Sequence, residues 1–82
     1  MVHVHLRRQP IEEFLARRNL SQGWLALKLN ISSGYLSQLL DGSRCPSPRT
    51  RERFLAVLGD FEFDDLFEIR RPPAEHTNRV PA

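Results

Sequence analysis

Residues 21–44, SQGWLALKLNISSGYLSQLLDGSR, limit the fold more than any other stretch. They hold two apolar-periodic runs separated only by Asn30-Ile31-Ser32. Each run makes about two helical turns, and a helix that short is marginal alone in water. The two must bury their apolar sides together and against more of the chain. Leu25, Ala26 and Leu29 form the inner face of the first; Leu36, Leu39 and Leu40 form that of the second. Ser21 and Ser32 stand where N-caps are needed. Asn30 stands where a left-handed residue would stop the first helix, and asparagine is the best non-glycine choice there.

The flanks offer partners. Pro10 suits the first position of a helix, and Ile11, Phe14 and Leu15 recur on one face, which predicts a first helix over Pro10 to Arg18. Glu12 and Glu13 would then lie in its first turn and Arg17 and Arg18 in its last, matching the helix dipole. Asn19 ends it. The second helix follows Ser21, and the third covers Ser33 to Leu40. Asp41-Gly42 is a stop signal. Ser47-Pro48 opens a fourth helix that runs to Leu58, with Gly59 as its stop. A short fifth helix is expected from Phe63 to Ile69. The expected fold class is all-α, a compact bundle of about five short helices. Residues 1–9 are read as an N-terminal arm, residues 10–69 as the domain, and residues 70–82, RRPPAEHTNRVPA, as a disordered tail. The only strand signal is the weak VHVHL at residues 2–6.

A chain of 82 residues supports one small core. No apolar run approaches the roughly 18 residues of a membrane span, and the start MVHVHLRRQP does not read as a signal peptide. With a single cysteine, Cys45, no internal disulfide is possible. The expected location is cytoplasmic. Net charge is +2, but it is unevenly spread. Residues 1–59 carry nine Arg or Lys against four acids, and residues 60–71 carry five acids against Arg70 and Arg71. A basic body with an acidic corner is compatible with a polyanion partner. No glycine-rich phosphate loop or facing carboxylate pair is present, so no enzyme activity, cofactor or small-molecule substrate is expected. His3 and His5 lie on one side of an extended arm without further ligands nearby, so no metal is expected. Cys45, beside Arg44 in a turn-rich loop, reads as an incidental cysteine and not a thiol switch.

Two short helices joined by a tight turn make a helix-turn-helix unit. Its second helix can enter the major groove while the first crosses the backbone. Residues 10–69, about three quarters of the chain, resemble the lambda-repressor-like helix-turn-helix domains, also called the Xre or Cro-like family. The stretches that carry the resemblance are LSQGWLALKLNIS, SGYLSQLLDGSRCPS and LAVLGDFEFDDLF. The resemblance implies a five-helix bundle that binds duplex DNA, commonly as a homodimer on a palindrome.

By that resemblance, Ser33, Gly34, Ser37 and Gln38 take the base-facing positions. Gln38 is the strongest reader, because glutamine bonds adenine through two hydrogen bonds. Gln22, Tyr35, Ser43, Arg44 and Arg49 take positions that contact phosphate or sugar, and Gln22 would also orient Gln38. Phosphate contacts set affinity and base contacts set sequence. Three departures stand out: Asn30 replaces the usual glycine, Gly34 puts no side chain at a reading position, and Trp24 and Leu27 replace polar residues. Trp24 and Leu27, three apart, are expected to share a face away from Leu25 and Leu29. Either the VHVHL arm covers that face, or it serves as a dimer or partner interface. Phe61, Phe63 and Phe67 are expected in the core, with Phe61 or Phe67 extending into a dimer or partner contact. The chain therefore reads as a sequence-specific transcriptional regulator, in the first instance a repressor. The alternative is a protein-interaction module, an antitoxin or adaptor, that binds a protein through the Trp24 and Leu27 face.

Overall fold

A computed structural model of the chain describes residues 2–71. These residues form helices α1 (Arg8–Arg18), α2 (Gln22–Leu29), α3 (Ser33–Asp41), α4 (Pro48–Leu58) and α5 (Phe63–Leu66). Two strands, β1 (His3–Leu6) and β2 (Phe67–Arg70), pair antiparallel with His3 opposite Arg70 and Leu6 opposite Phe67. The fold is thus mostly helical, with a small sheet that the all-α expectation lacks.

The helix boundaries follow from local chemistry. The Oγ atoms of Ser21, Ser32 and Ser47 accept the backbone N–H of Trp24, Tyr35 and Thr50 at 3.0, 3.0 and 3.2 Å. Each bond satisfies one of the amides that a helix start leaves unpaired. Asn19 and Asn30 both end helices in the left-handed region, at φ 56° and 59°. The Asn30 N–H returns to the Leu27 carbonyl at 3.1 Å and the Ile31 N–H to the Ala26 carbonyl at 3.0 Å. Together they close α2 and turn the chain into α3 within three residues.

Three boundaries differ from expectation. Helix α1 starts at Arg8, so Pro10 is its third residue, where the missing N–H is still one of the unpaired four. Glu12 and Glu13 consequently lie beyond the first turn, where Glu12 meets Arg8 at 2.6 Å and Glu13 meets Arg17 at 3.8 Å. The fifth helix stops at Leu66, and Phe67 turns to extended geometry at φ −130°, ψ 153°. Arg70 belongs to β2 and not to a tail, and residues 72–82 lie outside the described residues.

The core joins every element. Ile11, Leu25, Leu29, Leu36, Leu39, Phe54 and Leu66 are fully buried, and Leu6 of β1 and Phe67 of β2 close over them. Burying a side chain of this size contributes about 1.5–3 kcal/mol, so the first strand is part of the domain and not an arm laid beside it. Arg7 reinforces this: its N–H donates to the Leu66 carbonyl at 2.7 Å and its Nε to the Asp64 and Phe67 carbonyls at 3.1 and 3.2 Å.

Candidate nucleic-acid interface

Helix α3 is fixed on its inner side by Leu36, Leu39 and Leu40, all buried. At 100° per residue, Ser33, Gly34, Ser37 and Gln38 then fall together on the outer side. All four are exposed. Among the described residues, no side chain of this face has a hydrogen-bond partner, so its hydroxyl and amide groups are open to solvent. A Cβ added at Gly34 would meet nothing within 4 Å, so no packing demands glycine there.

The end of α3 is organised by its own carbonyls. The Ser43 and Arg44 N–H groups both donate to the Gln38 carbonyl, at 3.1 and 3.2 Å. Gly42, at φ 86°, supplies the left-handed residue this ending requires. These bonds anchor the Arg44 backbone to the residue that carries the outward Gln38 amide. The Arg44 guanidinium lies 5.4 Å from the Tyr35 ring centroid. Such a contact is worth about 0.5–1 kcal/mol at an exposed site and steadies the cation at the edge of the face. Gln38, Tyr35 and Arg44 are thus brought together. Gln22 is exposed at the start of α2, and no hydrogen bond links it to Gln38 among the described residues. Arg49 is exposed at the second position of α4.

Ser43 does not offer its hydroxyl to a phosphate in this arrangement. Its Oγ–H donates to Asp41 Oδ1 at 2.7 Å and its N–H donates to the same atom at 2.8 Å. These two bonds hold the Asp41 carboxyl below its ordinary 3.8. An anion therefore borders the outward face at its C-terminal end, and it holds the Ser43 hydroxyl that the resemblance assigns to a phosphate.

The basic residues separate into two sets. Arg8, Arg17 and Arg18 pair with Glu12, Glu13 and Asp60, and Arg18 also stacks 4.4 Å from the Phe14 ring centroid. Arg7 and Arg53 are spent on backbone carbonyls; Arg53 Nη1 donates to the Leu29 carbonyl at 2.9 Å. Lys28, Arg44, Arg49 and Arg51 have no carboxylate or carbonyl partner among the described residues. Nothing local in the sequence marks the Arg7 and Arg53 roles, because their partners lie 57 and 24 residues away.

The expected apolar interface is redrawn. Trp24 is half-buried and packs on the core, while Leu27 is 80% exposed, so the two do not form one open face and β1 does not cover Leu27. The Lys28 ammonium lies 5.7 Å from the Trp24 ring centroid. Phe67 is 1% exposed and meets Phe54 edge-on at 6.1 Å, which makes it core and not interface. Phe61 is half-buried against Phe14 at 6.3 Å. At the sheet, Cys45 Sγ lies 3.9 Å from both ring nitrogens of His5, and the His3 and His5 ring centroids are 6.4 Å apart. No group of three metal-ligating side chains forms among the described residues. Nor is any described helix long and apolar enough to cross a membrane.

No family model, curated protein or solved structure matches the chain.

Proposed function

We propose that the chain is a sequence-specific duplex-DNA-binding transcriptional regulator, acting as a repressor through a helix-turn-helix formed by α2, the Asn30–Ser32 turn and α3. The observation that carries this reading is the outer face of α3. Its polar groups are exposed and unengaged, its other side is buried to the last leucine, and Arg44 is tethered to its end. A polar face held rigid by a core and left unsatisfied is suited to hydrogen-bonding base edges. On binding, α3 enters the major groove and Gln38 bonds a base, with adenine the natural partner of its amide. Arg44 and Arg49 contact phosphates, so affinity falls steeply with salt. A homodimer reads two half-sites about 34 Å apart, one turn of the duplex.

Selection of bound fragments from a random duplex library tests this reading. An enriched palindrome whose sequence relaxes in Gln38→Ala is the expected result. Salt-sensitive binding with no enriched sequence, in the wild type, would overturn it.

One observation favours a second reading, in which the chain is a protein-interaction module of the antitoxin or adaptor type. Leu27 is a large apolar residue left 80% exposed on the helix beside α3. Under that reading Leu27→Glu abolishes activity and Gln38→Ala does not.

A further inference from the structure

Helix α3 carries a single charged residue, Asp41, and it lies on the outward side. At 100° per residue Asp41 falls between Ser37 and Gly34, inside the arc that Ser33, Ser37, Gly34 and Gln38 span. It is exposed, while Leu36, Leu39 and Leu40 turn the other way into the core. The turn after α3 holds its carboxylate in place. Oδ1 accepts the Ser43 N–H at 2.8 Å and the Ser43 Oγ–H at 2.7 Å. Oδ2 has no hydrogen-bond partner among the described residues. Nor does a salt bridge neutralise the group there: Arg8, the cation whose charge reaches it, is paired with Glu12 at 2.6 Å.

The fold does not call for a charge at this position. An asparagine Oδ1 would accept both Ser43 donors as well as a carboxylate oxygen does. The last turn of a helix is the negative end of its dipole, which disfavours an anion. A duplex brought against α3 disfavours it again, because phosphates are anions. What offsets a carboxylate on this face is a hydrogen-bond donor on a base edge. In the major groove guanine offers only acceptors, O6 and N7, and thymine only O4. Adenine has a donor at N6, but its N7 acceptor stands beside it and repels a group that can only accept. Cytosine presents the N4 amino group alone, and that is the base edge a carboxylate fits.

We infer that Asp41 is a second base reader of α3, whose free Oδ2 accepts the N4 amino group of a cytosine. Its place in the half-site follows from helix geometry. Asp41 lies three residues beyond Gln38, about 4.5 Å along the helix axis. Successive bases of a strand are about 3.4 Å apart along the duplex. The cytosine therefore lies one or two base pairs from the adenine that Gln38 bonds. At every other base the same carboxylate meets acceptors and nearby phosphates with nothing to offset its charge, so it discriminates by repulsion as well as by attraction. The inference rests on the duplex-DNA reading and names one base of the site which that reading requires.

The test is selection from a random duplex library with the wild type, Asp41→Asn and Asp41→Ala, followed by competition anisotropy on single-base variants of the wild-type consensus. In the wild type a cytosine is expected at that spacing, and replacing it is expected to weaken binding by about tenfold or more. Asp41→Asn keeps the Ser43 bonds and gains a donor, so the preference at that position is expected to move to adenine, whose N6 and N7 asparagine bonds together. Asp41→Ala is expected to leave no preference there. The adenine read by Gln38 is expected to stay in both variants, with the helical circular dichroism retained. A residue that serves only to build the turn would move no base preference. A wild-type consensus without cytosine at that spacing overturns the inference. So does a consensus that Asp41→Asn leaves unchanged, including one on which every duplex binds more tightly to the same degree, since Asp41 is then a repulsive charge only. In those outcomes the DNA reading stands. A wild-type chain that enriches no sequence overturns both.

Discussion

Arg53 of α4 donates a hydrogen bond from Nη1 to the Leu29 carbonyl, 2.9 Å away, at the last residue of α2. The carbonyls at a helix end lack intrahelical partners and carry the negative end of the dipole. A guanidinium placed there satisfies one of them with charge, next to the Asn30 turn that aims α3. Replacing Arg53 by leucine leaves that carbonyl without its donor. The expected loss is about 1–2 kcal/mol in urea denaturation, discounted from the usual 1.5–3 for a charged hydrogen bond because the side chain is partly solvated.

Gly34 makes the opposite prediction. Its surroundings are open and its backbone is helical, so a methyl group adds no clash. Gly34→Ala is expected to stabilise the fold by about 0.5–1 kcal/mol, read as a higher thermal midpoint. Duplex affinity is expected to stay unchanged; a loss would mark residue 34 as a point of close backbone approach to DNA.

Two kinds of contact should separate by their salt behaviour. Gln38→Ala is expected to cost about 1–3 kcal/mol of discrimination at one base pair and to leave the salt slope alone. Arg44→Ala and Arg49→Ala are expected to weaken all duplexes alike and to lower the slope by about 1 each. Fluorescence anisotropy at several salt concentrations, on matched and scrambled duplexes, measures both.

Leu27 and Trp24 are expected to differ in stability although they are three residues apart. Leu27→Glu changes an exposed position and should shift stability by no more than about 0.5 kcal/mol. Trp24→Ala removes a ring that packs on the core, and its cost should exceed that value. Denaturation of the two variants side by side decides the point.

The sheet carries a pH dependence. Burial chiefly, with help from the Arg70 and His3 charges, holds the His5 imidazole below its ordinary 6.5 in the folded chain. A base held lower in the folded state is destabilising when protonated. The His5 contribution is therefore present above 6.5 and is lost as pH falls through the lower folded value. Asp41 behaves with the same sign at lower pH. The Ser43 hydroxyl and then the Ser43 amide favour its anion, so that turn loosens only as pH falls below the ordinary 3.8. NMR titration should find both midpoints below their ordinary values, and His5→Phe should flatten the stability profile between pH 7 and 5.

Most of the helical framework was legible because helix ends are local. Ser21, Ser32 and Ser47, with Asn19, Asn30 and Gly42, fix their boundaries through partners no more than five residues away, and a sequence displays those. Of the sheet, β1 showed only as the weak VHVHL signal, and β2 was not legible, for the opposite reason. Phe63, Leu66 and Phe67 fit a helical period as well as Phe67 and Ile69 fit an alternating one. What decides for a strand is a partner at the other end of the chain. The core role of Phe67 was legible from its apolar spacing, but its place in a strand beside Leu6 was not. Of the α3 face, the exposure of Ser33, Gly34, Ser37 and Gln38 followed from periodicity. The engagement of Ser43 by Asp41 did not, since a hydroxyl has no preferred partner until the turn is built.

The pairing of β1 with β2 also sets an order of events. Arg7 meets the Phe67 carbonyl across 60 residues of chain and the pairs out to His3 and Arg70 span still more, whereas α2, the turn and α3 meet through neighbours. Loop closure slows with separation, so the helices can dock while the sheet is still open. On the ribosome, β1 is made first and must wait for the rest of the domain to emerge before its partner arrives. Until then Leu6 is an uncovered leucine and the hydrophobic interior lacks its lid, so the nascent chain is most vulnerable to proteases and to self-association just before synthesis reaches β2.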